Sequence, residues 1–146
     1  MRKLSSTVCS LIMILAAHLL LAGCAAKHAH LEAPNEHLKQ DWGIEITSLR
    51  LTAAGRMIDF RYKVHDAKKA EELFRRSNQP YLIDQKSGKV LAVPNTAKVG
   101  PLRNSDYPKE NRIYWMFFGN TYGFVQHGSL VSIVIGDFRV ENLVVN

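Results

Sequence analysis

Strict alternation of apolar and polar side chains between residues 58 and 64 is the feature that most constrains the fold of this chain. The apolar set is Ile58, Phe60, Tyr62 and Val64, and the polar set is Asp59, Arg61 and Lys63. A period of two is the side-chain period of a β-strand, whereas an amphipathic helix repeats every 3.6 residues. The alternation therefore predicts an antiparallel strand with one face in the core and one face toward solvent.

The preceding residues, 44–52, alternate in the same way but change phase once. Isoleucines occupy even positions up to residue 46, whereas Leu49 and Leu51 occupy odd positions. A β-bulge inserts one extra residue into a strand and shifts the phase by one. We therefore predict a single strand with a bulge near Ser48.

Five further segments have the composition of strands and are separated by turn residues. They span residues 80–84, 89–93, 112–118, 130–135 and 138–145. The first two flank Gln85-Lys86-Ser87-Gly88, a turn in which glycine tolerates a positive φ, so they are predicted to form a hairpin. Between residues 66 and 76 the apolar residues share one helical face behind Asp66, which predicts a short capped helix.

These elements predict one mainly β domain. About seven strands with one short helix are typical of an immunoglobulin-like antiparallel β-sandwich, and we predict this fold for residues 42–146. A small open β-barrel is the alternative. The composition agrees, because 47% hydrophobic and 22% charged residues are the proportions of a folded globular chain rather than a disordered one.

The first 23 residues have the pattern of a lipoprotein signal peptide. Arg2 and Lys3 precede an apolar run over residues 11–21, which is shorter than the roughly 20 residues of a membrane span. Leu21-Ala22-Gly23-Cys24 follows and matches the lipobox of bacterial lipoproteins. We predict cleavage between Gly23 and Cys24, after the Cys24 thiol has received a thioether-linked diacylglycerol.

This signal predicts where the mature protein resides. The residue after Cys24 is Ala25 and not Asp, which by the enterobacterial sorting rule favours the outer membrane, facing the periplasm, in a host with two membranes. Residues 24–41 are predicted to be the lipidated cysteine and a flexible polar tether. Since Cys9 leaves with the signal and Cys24 carries lipid, the folded domain has no thiol for a disulfide or a nucleophile.

No catalytic or cofactor motif is evident in the sequence. There is no Gly-x-Ser-x-Gly elbow, phosphate-binding glycine loop or His-Glu-x-x-His helix, so we expect no enzyme activity and no cofactor. His28, His30 and His37 are weak candidates for a metal site, because three imidazoles in a tether have no groups to orient them. We expect no specific metal.

Two features suggest contact with a partner. The segment Ile113–Phe118 is apolar on both faces, so something must cover its second face: the short helix, the loop 119–128, a partner protein or a second copy of the chain. The segment 95–111 is predicted to be the longest loop and surface-exposed. The candidate partner-binding residues are Lys98, Arg103, Tyr107, Arg112 and Trp115.

The segments 80–84, 94–103 and 134–145 together resemble small bacterial lipoproteins. The resemblance implies a signal-anchored β-rich module and carries over no catalytic or binding residue. We therefore predict a lipid-anchored cell-envelope binding or assembly module. Its partners are the membrane, through the lipid on Cys24, and an envelope protein, but not nucleic acid. A periplasmic carrier of a small ligand or a metal is the alternative.

Overall fold

The computed structural model describes residues 35–104 and 107–146 of the 146-residue chain. Two helices lie in these residues, α1 over 35–42 and α2 over Glu71–Phe74. The strands are β1 (Ile44–Thr52), β2 (Met57–Val64), β3 (Tyr81–Asp84), β4 (Val90–Ala92), β5 (Asn95–Thr96), β6 (Gly100–Pro101), β7 (Ile113–Gly119), β8 (Leu130–Ile135) and β9 (Phe138–Val144). None of these helices is long and apolar enough to cross a membrane.

The strands form two main antiparallel sheets in a sandwich-like arrangement. One sheet has three strands in the order β1-β2-β7, and the other has four in the order β4-β3-β8-β9. Strands β5 and β6 form a separate small hairpin. The sheets do not close into a barrel, so the prediction of a mainly β fold is confirmed and the barrel alternative is wrong.

The core consists of the apolar positions that alternate along these strands. Its largest fully buried side chains include Phe60, Tyr62, Tyr114, Phe118 and Phe138. The rings of Tyr62 and Tyr114 stack at 6.0 Å between centroids, and Phe74 of α2 meets the Tyr114 ring edge-on at 4.7 Å. The short helix therefore packs on the inner face of the three-stranded sheet.

The predicted bulge in β1 is confirmed, and Asn35 of α1 supplies hydrogen bonds to the strand backbone beside it. The register between β1 and β2 shifts between Ile46 and Ser48. The Asn35 side chain accepts a hydrogen bond from the Ile46 N–H at 2.8 Å and donates one to the Ile46 carbonyl at 3.1 Å. The buried amide side chain thus makes the two hydrogen bonds that a neighbouring strand would otherwise make with Ile46.

Chain segments outside the main strands cover the free edges of the three-stranded sheet. The Asn146 N–H donates to the Leu49 carbonyl, and the Leu51 N–H donates to the Asn146 carbonyl. On the other edge, the Phe117 N–H donates to the Leu102 carbonyl at 3.0 Å, and the Asn104 N–H donates to the Trp115 carbonyl at 3.0 Å. Exposed strand edges promote unwanted pairing, so this covering protects the sheet.

Three boundaries differ from the sequence predictions. The folded region begins before residue 42, because 35–42 is helical and Leu38 is 6% exposed. The helix expected over 66–76 is restricted to Glu71–Phe74, because residues 67–70 form turns and the Asn78 side chain, beyond the helix, donates to the Glu72 carbonyl. The segment 95–111 contains a small hairpin and an edge-pairing stretch, so it is not one long loop.

Candidate interaction surface

The outer face of the three-stranded sheet carries charged and aromatic side chains side by side. Positions that alternate with the core residues of β2 and β7 point away from the core. The strand register places Arg61 opposite Trp115 and Asp59 opposite Phe117. On the other side of β2, Arg50 of β1 lies opposite Asp59. We call this set of five residues the outer patch.

A buried carboxylate lies at the centre of the outer patch. The side chain of Asp59 is only 2% exposed, whereas those of Arg50 and Arg61 are 55% and 42% exposed. Arg50 donates from Nε and Nη2 to Asp59 Oδ2 at 3.3 and 3.2 Å, and Arg61 donates from Nε to both carboxylate oxygens at 3.1 Å. Hydrogen bonds to Asp59 raise the pKa of Arg61 above its ordinary value. Two cations thus share one anion, which leaves net positive charge at the surface.

Next to this cluster, Trp115 and Phe117 form an aromatic pair with ring centroids 5.1 Å apart. Both side chains are half-buried, and Ile113 on the same strand is 53% exposed. The covers suggested from the sequence make other contacts: Phe74 contacts the inner face, and the Phe124 ring lies 5.6 Å from the ammonium of Lys89, between β3 and β4. The aromatic pair therefore remains accessible beside the arginines.

The sequence-predicted partner residues lie in different environments. Lys98 is exposed between β5 and β6, and Tyr107 is 88% exposed. The backbone carbonyl of Tyr107 accepts a hydrogen bond from the Tyr114 hydroxyl at 3.1 Å. Arg112 is exposed, and its guanidinium lies 5.4 Å from the centroid of the Tyr114 ring. These residues are distributed along one connection and do not converge on one point in its described part.

Arg103 has a structural role that the sequence did not suggest. Its Nη1 donates to the Asn78 carbonyl at 3.0 Å, and its Nη2 donates to the Arg75 carbonyl at 3.2 Å. The half-buried side chain thereby joins the connection after β6 to the turn after α2. Burial lowers the pKa of Arg103.

Two clefts border this turn, and Arg76 lines both. The larger one, about 560 Å³, is also lined by Arg75 and Lys109. The smaller one, about 210 Å³, is also lined by Arg103. Sequence reasoning missed Arg76 because a charged residue at the end of a short helix is typical of a solvated surface. The Asp59 cluster was missed for the same reason, although three successive polar positions on one strand face were a signal.

The described residues contain no group of three or more histidine, cysteine, aspartate and glutamate side chains that could hold a metal ion. His37 is exposed on α1. His28, His30, Gly23 and Cys24 lie outside the described residues.

No protein-family model matches the chain, and searches of curated proteins and of solved structures find no match either.

Proposed function

We propose that this protein is a lipid-anchored binding or assembly module of the cell envelope that docks an acidic protein partner on its outer patch. The observation that carries the proposal is the accessible Trp115–Phe117 pair beside the Arg50–Asp59–Arg61 cluster. Tryptophan and arginine are the side chains most enriched at the energetic centres of protein interfaces.

The charge of the patch argues for an acidic partner. Its two guanidinium groups face one carboxylate, and Lys63 lies opposite Ile113 at the end of the same face. A partner that presents carboxylates beside an apolar group would match both parts of the patch. After removal of Arg2 and Lys3 with the signal, the chain has 17 basic and 13 acidic residues, a net charge of +4 that favours the same association.

We also propose that the domain has an immunoglobulin-like topology with one strand moved. The seven longer strands in chain order are β1, β2, β3, β4, β7, β8 and β9. In the constant-type fold the first, second, fifth and fourth strands share a sheet. Here the first, second and fifth form one sheet, and the fourth pairs with the third. This arrangement supports a sandwich that displays the outer face of the smaller sheet.

The lipid anchor follows from the lipobox and determines where docking takes place. Lipidation of Cys24 would leave residues 25–34 between the membrane and the start of α1 at residue 35. Ten residues reach at most about 33 to 36 Å. The domain would therefore meet partners that lie close to the membrane surface.

Site-specific photocrosslinking in intact cells tests the proposal. A crosslinking amino acid at Lys63, on the outer face, should capture a discrete partner, whereas one at Glu141, exposed on β9, should not. Trp115→Ala should remove the adduct, because it deletes the aromatic anchor. Tyr122→Ala, a change at an aromatic residue that is 82% exposed elsewhere, should leave it intact.

The anchor is tested in the same cells. Cys24→Ala should accumulate as an uncleaved, unlipidated precursor, because the thioether precedes cleavage.

An adduct from Lys63 that survives Trp115→Ala in a normally folded variant would contradict docking on the outer patch. Acylated mature protein from Cys24→Ala would contradict the anchor.

A further inference from the structure

The smaller cleft brings together two arginines and several carboxamide groups. It lies between the turn after α2 and the connection from β4 to β6, and its volume is about 210 Å³. Arg76 and Arg103 line it together with Asn78, Gln79 and Asn95. Among the described residues, no carboxylate lines this cleft. Its chemistry is therefore that of a site for an anion.

Arg103 is held in a fixed position there. Its two described hydrogen bonds go to the backbone carbonyls of Arg75 and Asn78. A guanidinium has five N–H donors, so three remain for another partner. Both present acceptors are neutral, so they orient the group without neutralising its charge. Such preorganisation lowers the entropy that a ligand must lose on binding.

The positive charge at the cleft has no counter-ion in the described part of the chain. The ion pairs found there include neither Arg76 nor Arg103. Burial is the main cause that lowers the pKa of Arg103; Tyr62 acts in the opposite direction, and the nearby positive charge of Arg76 lowers the pKa further. A half-buried cation beside a like charge is unfavourable unless an anion joins them.

We propose that this cleft binds a phosphate group, which either a small soluble molecule or a lipid head group can carry. Two guanidinium groups can each donate paired N–H bonds to phosphate oxygens, and the side-chain amides of Gln79 and Asn95 can donate to the remaining oxygens. The Asn78 amide is not available, because it already donates to the carbonyl and the carboxylate of Glu72. The cleft is smaller than the roughly 300 to 1,000 Å³ of sites for drug-sized ligands, which suits a head group. The site is separate from the outer patch and does not depend on it.

Calorimetric titration of the full chain with inorganic phosphate, at constant ionic strength set by chloride, tests the proposal. Saturable binding is expected, and Arg76→Gln should weaken it at least tenfold. Arg76 has no described side-chain hydrogen bond, so this change should leave the fold intact. Arg139→Gln on β9 is the control, because it removes the same charge from an exposed position that does not line the cleft and should leave the affinity unchanged.

Two phosphate monoesters distinguish whether a soluble molecule or a lipid head group carries the phosphate. Equal affinity for glycerol 3-phosphate and dihexanoyl phosphatidic acid would indicate a soluble ligand, whereas tighter binding of the second would indicate a lipid head group. In the unaltered chain, the Arg103 Nε–H resonance should shift with phosphate and not with chloride. Absence of saturable binding to all three probes, or binding that Arg76→Gln and Arg139→Gln weaken equally, would overturn the proposal.

Discussion

Asp59 lies on the solvent face of its sheet and is nevertheless 2% exposed, because two arginines cover it. Asp59→Asn removes the charge and keeps the shape, which leaves both guanidinium groups with a weaker acceptor. We expect the free energy of unfolding in urea to fall by about 1 to 3 kcal/mol. Glu141→Gln, which breaks the exposed pair with Arg139, should cost less than about 1 kcal/mol. Equal losses in both variants would show that burial of the Asp59 ion pairs adds nothing to the free energy of unfolding.

Glu45 gives the fold a dependence on pH. Hydrogen bonds from Lys39 and from His65 lower the pKa of Glu45 below its ordinary value of 4.5. A carboxylate with a lowered pKa in the folded state stabilises that state above pH 4.5, and the contribution disappears as pH falls through the folded-state pKa.

The comparison of Glu45→Gln with the unaltered chain measures this contribution. The melting temperature of the variant should be lower at pH 6, and the two curves should converge as the pH falls toward 3. The effect should be small, since the Glu45 side chain is 33% exposed. A difference that stays constant over this range would contradict the assignment.

At the scale of elements, Gly43 makes the connection from α1 to β1 possible. Its φ is +64°, and a Cβ there would lie 2.7 Å from both Cβ and the carbonyl oxygen of Asp66. Its own carbonyl accepts hydrogen bonds from the N–H groups of His65 and Asp66, which holds the two segments together.

Gly43→Ala and Gly55→Ala form a matched pair. Gly55 has a φ of +80° and no atom within 4 Å of an added Cβ, so its substitution tests only the backbone conformation. We expect a loss of about 1 kcal/mol at Gly55. At Gly43 the clash should increase the loss to about 2 to 4 kcal/mol. Similar losses at both positions in chemical denaturation would mean that α1 and the Asp66 segment separate freely enough to relieve the clash.

The longer strands were predictable, β1 and β2 from a side-chain period of two and the others from strand-like composition between turn residues. The phase change near Ser48 even located the bulge in β1. Helix α1 was not predictable, because its attachment depends on contacts between Asn35 and a strand eleven residues away. The pairing of residues 102–104 with β7 was missed for the same reason. The apolar outer positions of β7 were recognised, whereas the Asp59 cluster joins Arg50 of β1 to Asp59 and Arg61 of β2, and only its β2 part has a local pattern.

On the scale of the whole molecule, the two sheets are tied together by segments that belong to neither. Asn146 extends from the end of β9 to hydrogen-bond with β1, and Leu102 hydrogen-bonds both to Pro94, just after β4, and to Phe117 of β7. Helix α1 adds a third tie, because the Trp42 ring at its end packs edge-on against Phe138 at 5.3 Å. The smaller sheet is thus supported at its edges while its outer face stays open.

The last prediction concerns where the folded domain begins. A chain starting at Ala33 keeps α1, whereas one starting at Trp42 loses the buried Leu38 and the Asn35 amide. Burial of a leucine contributes about 1.5 to 3 kcal/mol, and loss of partners for buried backbone groups costs about 1 to 3 kcal/mol. The shorter chain should therefore be less stable by roughly 3 to 5 kcal/mol in urea unfolding.

Asn35→Ala with Leu38→Ala in the longer chain is the matched control. These two changes remove the same buried contacts and leave the backbone of α1 in place, so they should reproduce most of the loss caused by truncation. The double variant could instead be as stable as the unaltered chain while the truncated chain is unstable. That result would mean that the α1 backbone, and not these two side chains, stabilises the domain. Equal stability of the two chains would place the domain boundary at residue 42. It would also support the longer tether that the sequence alone predicts.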